Sequence, residues 1–121
     1  KRVLSALANP KVKIFAHPTA RRLNKREEID LDWEKIFEFC KKNDKALEVN
    51  SWYDRLDLPD VLVRDAVKYG VKLIIDTDSH KLEDMENMRF GVAVARRGWV
   101  KSEDVVNTWS WTKVKEWFSI K

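Results

Sequence analysis

The residues best equipped for chemistry are Asp78 and His80, near the end of the run V-K-L-I-I-D-T-D-S-H at positions 71–80. Val71, Leu73, Ile74 and Ile75 are apolar and mostly β-branched, which predicts a central strand buried on both faces. In extended backbone, side chains two apart leave the same side. A carboxylate and an imidazole would then converge just past the strand, and divalent metals use that pair. The chain's other histidine, His17, closes a second apolar run at 12–16 (V-K-I-F-A) and precedes Pro18. A third run, A-L-E-V-N at 46–50, carries Glu48 and Asn50 on one face, opposite Leu47 and Val49.

The elements that must position these groups follow from periodicity. Val3, Leu4 and Leu7 end an amphipathic helix closed by Asn9-Pro10. Trp33, Ile36, Phe37 and Cys40 recur at helical spacing, with Asp30, Asp32 and Glu34 where the helix dipole favours acid. Leu62, Val63, Ala66 and Val67 mark a helix opened by Pro59 and capped by Gly70. Beyond His80 the pattern is helical: Leu82, Met85 and Met88 share one face, and a further segment over 90–97 stops at Gly98. Ser102 is expected to cap a short helix through Val105 and Val106. Ser110 is expected to cap a last one with Trp111, Val114, Trp117 and Phe118 inward.

Strands alternating with helices imply an α/β fold of three parallel strands joined by right-handed crossovers. In such folds chemistry gathers at the strand C-termini. His17, Glu48, Asn50, Asp78 and His80 all fall on that edge. Each has an ordinary reading: a turn residue before proline, a polar strand end, a helix cap. Their concentration on one edge favours a metal site made by His17, Asp78 and His80. Glu48 then stands behind the ligands or touches substrate. Arg21 or Arg22, after the His-Pro-Thr turn, offers a phosphate clamp, or else belongs to a solvated basic loop with Lys25 and Arg26. Trp52 and Tyr53 lie just past Asn50, where they either stack on a nucleobase or pack.

Composition limits the alternatives. The 121 residues allow one ordinary domain, and 44% hydrophobic content argues against disorder despite 36% charged residues. A net charge of +4 permits a phosphate-rich partner without demanding one. The single cysteine, Cys40, excludes an internal disulfide and fits a reducing cytoplasm. No apolar run approaches membrane-spanning length and no signal peptide is evident.

Four motifs in order, A-H-P-T-A-R at 16–21, A-L-E-V-N at 46–50, T-D-S-H at 77–80 and M-R-F-G-V-A-V-A-R-R-G-W at 88–99, carry a resemblance. The chain resembles the C-terminal half of a PHP (polymerase and histidinol phosphatase) domain, and most of all the one attached to bacterial and archaeal family X DNA polymerases. The resemblance implies that residues 1–121 are a partial segment of a distorted seven-stranded β/α barrel with a metal cluster at its strand C-termini. It implies metal ligation by His17, Asp78 and His80, a phosphate contact by Arg21, and a place near the metals for Glu48. Manganese or zinc is the expected cofactor, and the expected activity is 3′-5′ exonuclease or 3′-end processing on DNA. The superfamily's opening H-x-H motif and middle-strand ligands have no counterpart here and are expected before Lys1. Two other outcomes follow from the same residues: a non-catalytic piece with an incomplete metal site, or a small-molecule phosphatase of the histidinol-phosphate type.

Overall fold

The computed structural model describes residues 1–119. Three parallel strands form one sheet in the order β1-β2-β3: β1 (Ile14–Phe15), β2 (Ala46–Asn50) and β3 (Lys72–Asp76). Helix α1 (Arg2–Leu7) leads in, α2 (Trp33–Lys42) joins β1 to β2, and α3 (Asp60–Lys68) joins β2 to β3. A 3-10 segment (Leu82–Asn87) runs into α4 (Met88–Arg97). Two further 3-10 turns, Ser102–Asp104 and Val106–Thr108, lead to α5 (Trp111–Phe118). The predicted α/β alternation is the observed one. Among the described residues, no helix is long and apolar enough to cross a membrane.

The helices form where local chemistry starts and stops them. Asp32 caps α2, its carboxylate accepting from the Lys35 N–H at 3.3 Å, an interaction whose loss costs about 1 kcal/mol. Ser110 does the same for α5 through Lys113. Gly70 ends α3 at φ +76, a left-handed turn that a side chain would oppose.

One sheet face is covered by α2, α3 and α4 through Ile36, Phe37, Cys40, Val63, Ala66 and Ala95, packed on Leu47, Val49, Leu73 and Ile75. The other face changes character along the strands. At the N-terminal end Ala46, Val106 and Trp117 make a small apolar cluster with Ile14 and Ile74. At the C-terminal end the same face carries Glu48, Asn50 and Asp76.

The central strand is β2, all five of whose residues are buried, and not β3 as the β-branched run suggests. In β3 burial alternates, with Leu73 and Ile75 buried and Lys72, Ile74 and Asp76 half-buried. Its outer edge is closed by side-chain mimicry. The Asn107 amide accepts from the Ile75 N–H and donates to the Ile75 carbonyl, both at 2.8 Å, beside a parallel bridge between Leu73 and Val105. This gives the edge the hydrogen bonds that another strand would have supplied.

Strand β1 is shorter than the predicted 12–16 because other backbone takes its place along β2. After Phe15 pairs with Leu47, the Glu48 carbonyl accepts from Leu58 and Asn50 bridges Asp57 antiparallel. The chain therefore leaves the sheet at His17. Two of the large apolar residues expected inward on α5, Trp111 (73% exposed) and Phe118 (44%), lie outward instead. Only Trp117 is buried there, since so short a helix has one seam, which Trp117 and Val114 fill. The shared face of Leu82 and Met85 is likewise solvent-facing.

Candidate active site

His17, Asp78 and His80 line one cleft of about 380 Å3 at the C-terminal ends of the strands, together with Arg22, Trp52 and Arg55. Local backbone, rather than strand alternation, brings them there. Strand β3 ends at Asp76, and Asp78 has φ +51, so the segment is not extended between Asp78 and His80. His17 has φ +31 and Ala20 φ +55. Left-handed backbone at non-glycine residues costs on the order of 1 kcal/mol or more each and gathers at sites that need a particular side-chain direction.

The surroundings hold these turns in place. The His17 N–H donates to the buried Glu48 carboxylate, and the Ala20 N–H returns to the His17 carbonyl at 2.9 Å. Both oxygens of the fully buried Asp57 accept the Thr19 N–H, at 3.1 and 3.2 Å. Asn50 Nδ2 donates to Asp78 Oδ2 at 3.3 Å, and Arg55 Nε stands 3.9 Å from the same oxygen. The His80 N–H donates to Asp84 Oδ2 at 3.1 Å, while its ring meets the Trp52 ring edge-on, centroids 5.7 Å apart.

Behind the cleft, Glu48 lies beside Asp76. Burial, and then the Asp76 carboxyl, raise the Glu48 pKa to about 8, against the pull of the His17 N–H. Burial also raises Asp76 above its ordinary value. The two carboxyls cannot both ionise cheaply, so they hold a proton between them near neutral pH. Asp76 Oδ1 is buried without a hydrogen-bond partner. Glu48 thus sits where the sequence places it, next to His17 but under the cleft wall. Asp76 escaped the sequence reading, because its pairing with Glu48 depends on a register in which Asn50 faces Asp76.

Arg21 is elsewhere. Its Nε donates to the Arg55 carbonyl at 2.8 Å, one Nη to the Leu56 carbonyl and the other to Glu28 at 3.1 Å. The two carbonyl bonds tie the 20–28 loop to the 51–58 loop, and the Arg21 guanidinium lies outside the cleft lining. Arg22 lines the cleft instead. Arg22 also pairs with Asp54 at 2.6 Å, and Lys25 with the same oxygen at 2.9 Å. Burial opposes the charge on Asp54, but these two partners outweigh it and hold the carboxyl below its ordinary pKa. Arg55 has no periodic signal in the sequence to announce it. Arg55 Nη1 and Arg22 Nε are both buried without an acceptor.

The donor types, two imidazoles with carboxylates, suit zinc or manganese. Among the described residues, however, no three such side chains converge tightly enough to enclose an ion by themselves. The orphaned Asp76 Oδ1 is the buried acceptor nearest in sequence to Asp78.

The chain has a relative of known activity. Over 107 residues, 88% of its length, it is 39% identical to the DNA polymerase/3'-5' exonuclease PolX of Bacillus subtilis (strain 168). It spans 19% of that protein's length. The matched segment is therefore one region of a much longer relative. No protein-family model matches the chain.

Proposed function

We propose that this chain is the C-terminal portion of a PHP-type phosphoesterase module that trims or processes DNA 3′ ends with the help of manganese or zinc. The observation that carries the reading is the cleft itself. Both histidines, Asp78 and two arginines meet at the C-terminal edge of a parallel sheet. The relative's name, a polymerase with 3'-5' exonuclease activity, supports DNA as the substrate.

In this reading His17, Asp78 and His80 would supply part of the ligand set of a metal, which would lower the pKa of a bound water and offset phosphoryl charge. Asn50 orients Asp78 through its amide. Asp84 fixes the backbone at His80. Arg22 and Arg55, which line the cleft, present their guanidinium charge to the phosphate. Arg21 acts at one remove, holding the loop that carries Arg55. Glu48 fixes the His17 turn and shares a proton with Asp76.

A second reading is favoured by the open spacing of the donors: the chain alone is non-catalytic, and further ligands come from another polypeptide segment. Calorimetric titration of the chain with manganese or zinc separates the two. Submicromolar binding that is lost in Asp78→Ala supports a self-sufficient site. Binding weaker than about millimolar assigns the missing ligands elsewhere. Heat that is unchanged in Asp78→Ala overturns the assignment of the cleft.

A further inference from the structure

Trp52 meets His80 edge-on, but metal or phosphate binding does not account for the Trp52–Tyr53 pair as a whole. Trp52 lines the cleft yet belongs to neither apolar cluster of the fold. Its backbone is pinned: the Trp52 N–H donates to Asn50 Oδ1 at 2.9 Å, and its carbonyl accepts from Arg55 and Leu56 at 2.8 and 3.0 Å. The ring is braced by Tyr53, with centroids 5.4 Å apart and planes 33° from parallel. Tyr53 is itself 59% exposed. A large aromatic pair held rigidly at the lip of a polar cleft offers stacking area at little cost in conformational entropy.

The same turn sets Arg55 three residues from Trp52, and Arg22 lines the cleft with them. Both guanidinium groups put positive charge on the cleft wall beside the indole. A ligand that satisfies the whole wall carries an anion and a flat ring a short distance apart. Inorganic phosphate or a sugar phosphate satisfies the arginines and leaves the indole bare; a nucleotide satisfies both. The cleft volume of about 380 Å3 falls within the range of small-ligand sites, roughly 300–1,000 Å3.

We propose that Trp52, braced by Tyr53, seats the terminal nucleobase of a single-stranded DNA end while Arg22 and Arg55 take the adjacent phosphate. The inference deepens the phosphoesterase reading and rests on it for the identity of the strand. It makes the site selective for base-bearing ends and for unpaired ones, because a base still stacked in a duplex cannot reach the indole.

The test uses the whole chain in EDTA at low salt, so that no metal contributes. Calorimetry compares a thymidine tetranucleotide with an abasic tetramer carrying the same phosphates. The base-bearing oligomer binds roughly ten-fold more tightly. Trp52→Leu abolishes that difference, Tyr53→Ala reduces it, and Arg55→Gln weakens both oligomers alike. Equal binding of the two oligomers by the unaltered chain overturns the proposal, as does a base preference that survives Trp52→Leu. Should Trp52→Leu fail to fold, the thymine methyl resonance in the complex with the unaltered chain decides. An upfield ring-current shift supports stacking, and an unshifted methyl refutes it. A base preference without any manganese binding would remove the phosphoesterase reading and leave the stacking site standing.

Discussion

Replacing Gly91 by alanine tests the packing that supports the cleft. A Cβ at Gly91 would lie 1.9 Å from Ser51 Oγ, 2.8 Å from Ile75 Cγ2 and 3.1 Å from Ser51 Cβ. Ser51 follows β2 directly, and its N–H donates to the Asp76 carbonyl at 2.8 Å. Helix α4 is thus pressed against the ends of both strands that carry the site. Overpacking of this kind costs about 1–3 kcal/mol, and a 1.9 Å contact belongs at the upper end. Alanine's helix propensity returns about 1 kcal/mol. The expected net loss is about 2 kcal/mol, a fall in Tm of roughly 8 °C for a chain of this size. Urea denaturation followed by circular dichroism measures it. Ser51→Ala removes the nearest atom, and Ser51 Oγ has no hydrogen bond to lose. In that background Gly91→Ala should cost about 1 kcal/mol less. A Gly91→Ala protein as stable as the parent, or more stable, would show that α4 does not press on Ser51 and would refute the reasoning.

Other consequences follow from the buried titratable groups. Glu48 has a folded pKa raised above its unfolded value, so its contribution to stability is full below about pH 4.5 and is lost as pH rises through about 8. Glu48→Gln should flatten the fall in metal-free stability between those limits, by up to about 5 kcal/mol. Parallel pH profiles of the two proteins in urea melts would contradict the buried proton. Burial raises the Cys40 thiol to about 11 and leaves it with no exposed surface. Maleimide labelling of Cys40 should therefore be at least about a hundred-fold slower in the native chain than in urea; equal rates would contradict its burial.

The fold was legible wherever periodicity and punctuation agreed. Trp33, Ile36, Phe37 and Cys40 marked α2, though Asp32, read as first-turn acid, proved to be its cap, and A-L-E-V-N matched β2 residue for residue. Strand rank was not legible, because a β-branched run looks the same in an edge strand closed by Asn107 as in a central one. The sequence could not foresee that the loop carrying Asp57 and Leu58 displaces β1. Trp111 shows the limit of helical spacing, which says which residues share a face and not whether anything covers it.

At the cleft, His17, Asp78 and His80 were legible as polar ends of apolar runs, and the structure places them around one opening. The reason first given for Asp78 and His80, extended alternation, does not hold, since Asp78 is left-handed. The choice between Arg21 and Arg22 was not legible, because it depends on Arg21 being taken up by the Arg55 and Leu56 carbonyls of a loop distant in sequence. Arg55 and Trp52 come from a loop, where side-chain direction follows from hydrogen bonds to Asn50 and Arg21 rather than from any period.

The central claim is that His17, Asp78 and His80 contribute to one metal site. The chain contains only these two histidines, so its imidazole Cε1–H region in a proton NMR spectrum holds two signals. Substoichiometric manganese, which broadens nuclei near it, should broaden both signals together, and Asp78→Ala should require far more manganese for the same effect. If only one histidine broadens, or if both broaden equally in Asp78→Ala, the metal does not sit where this account places it.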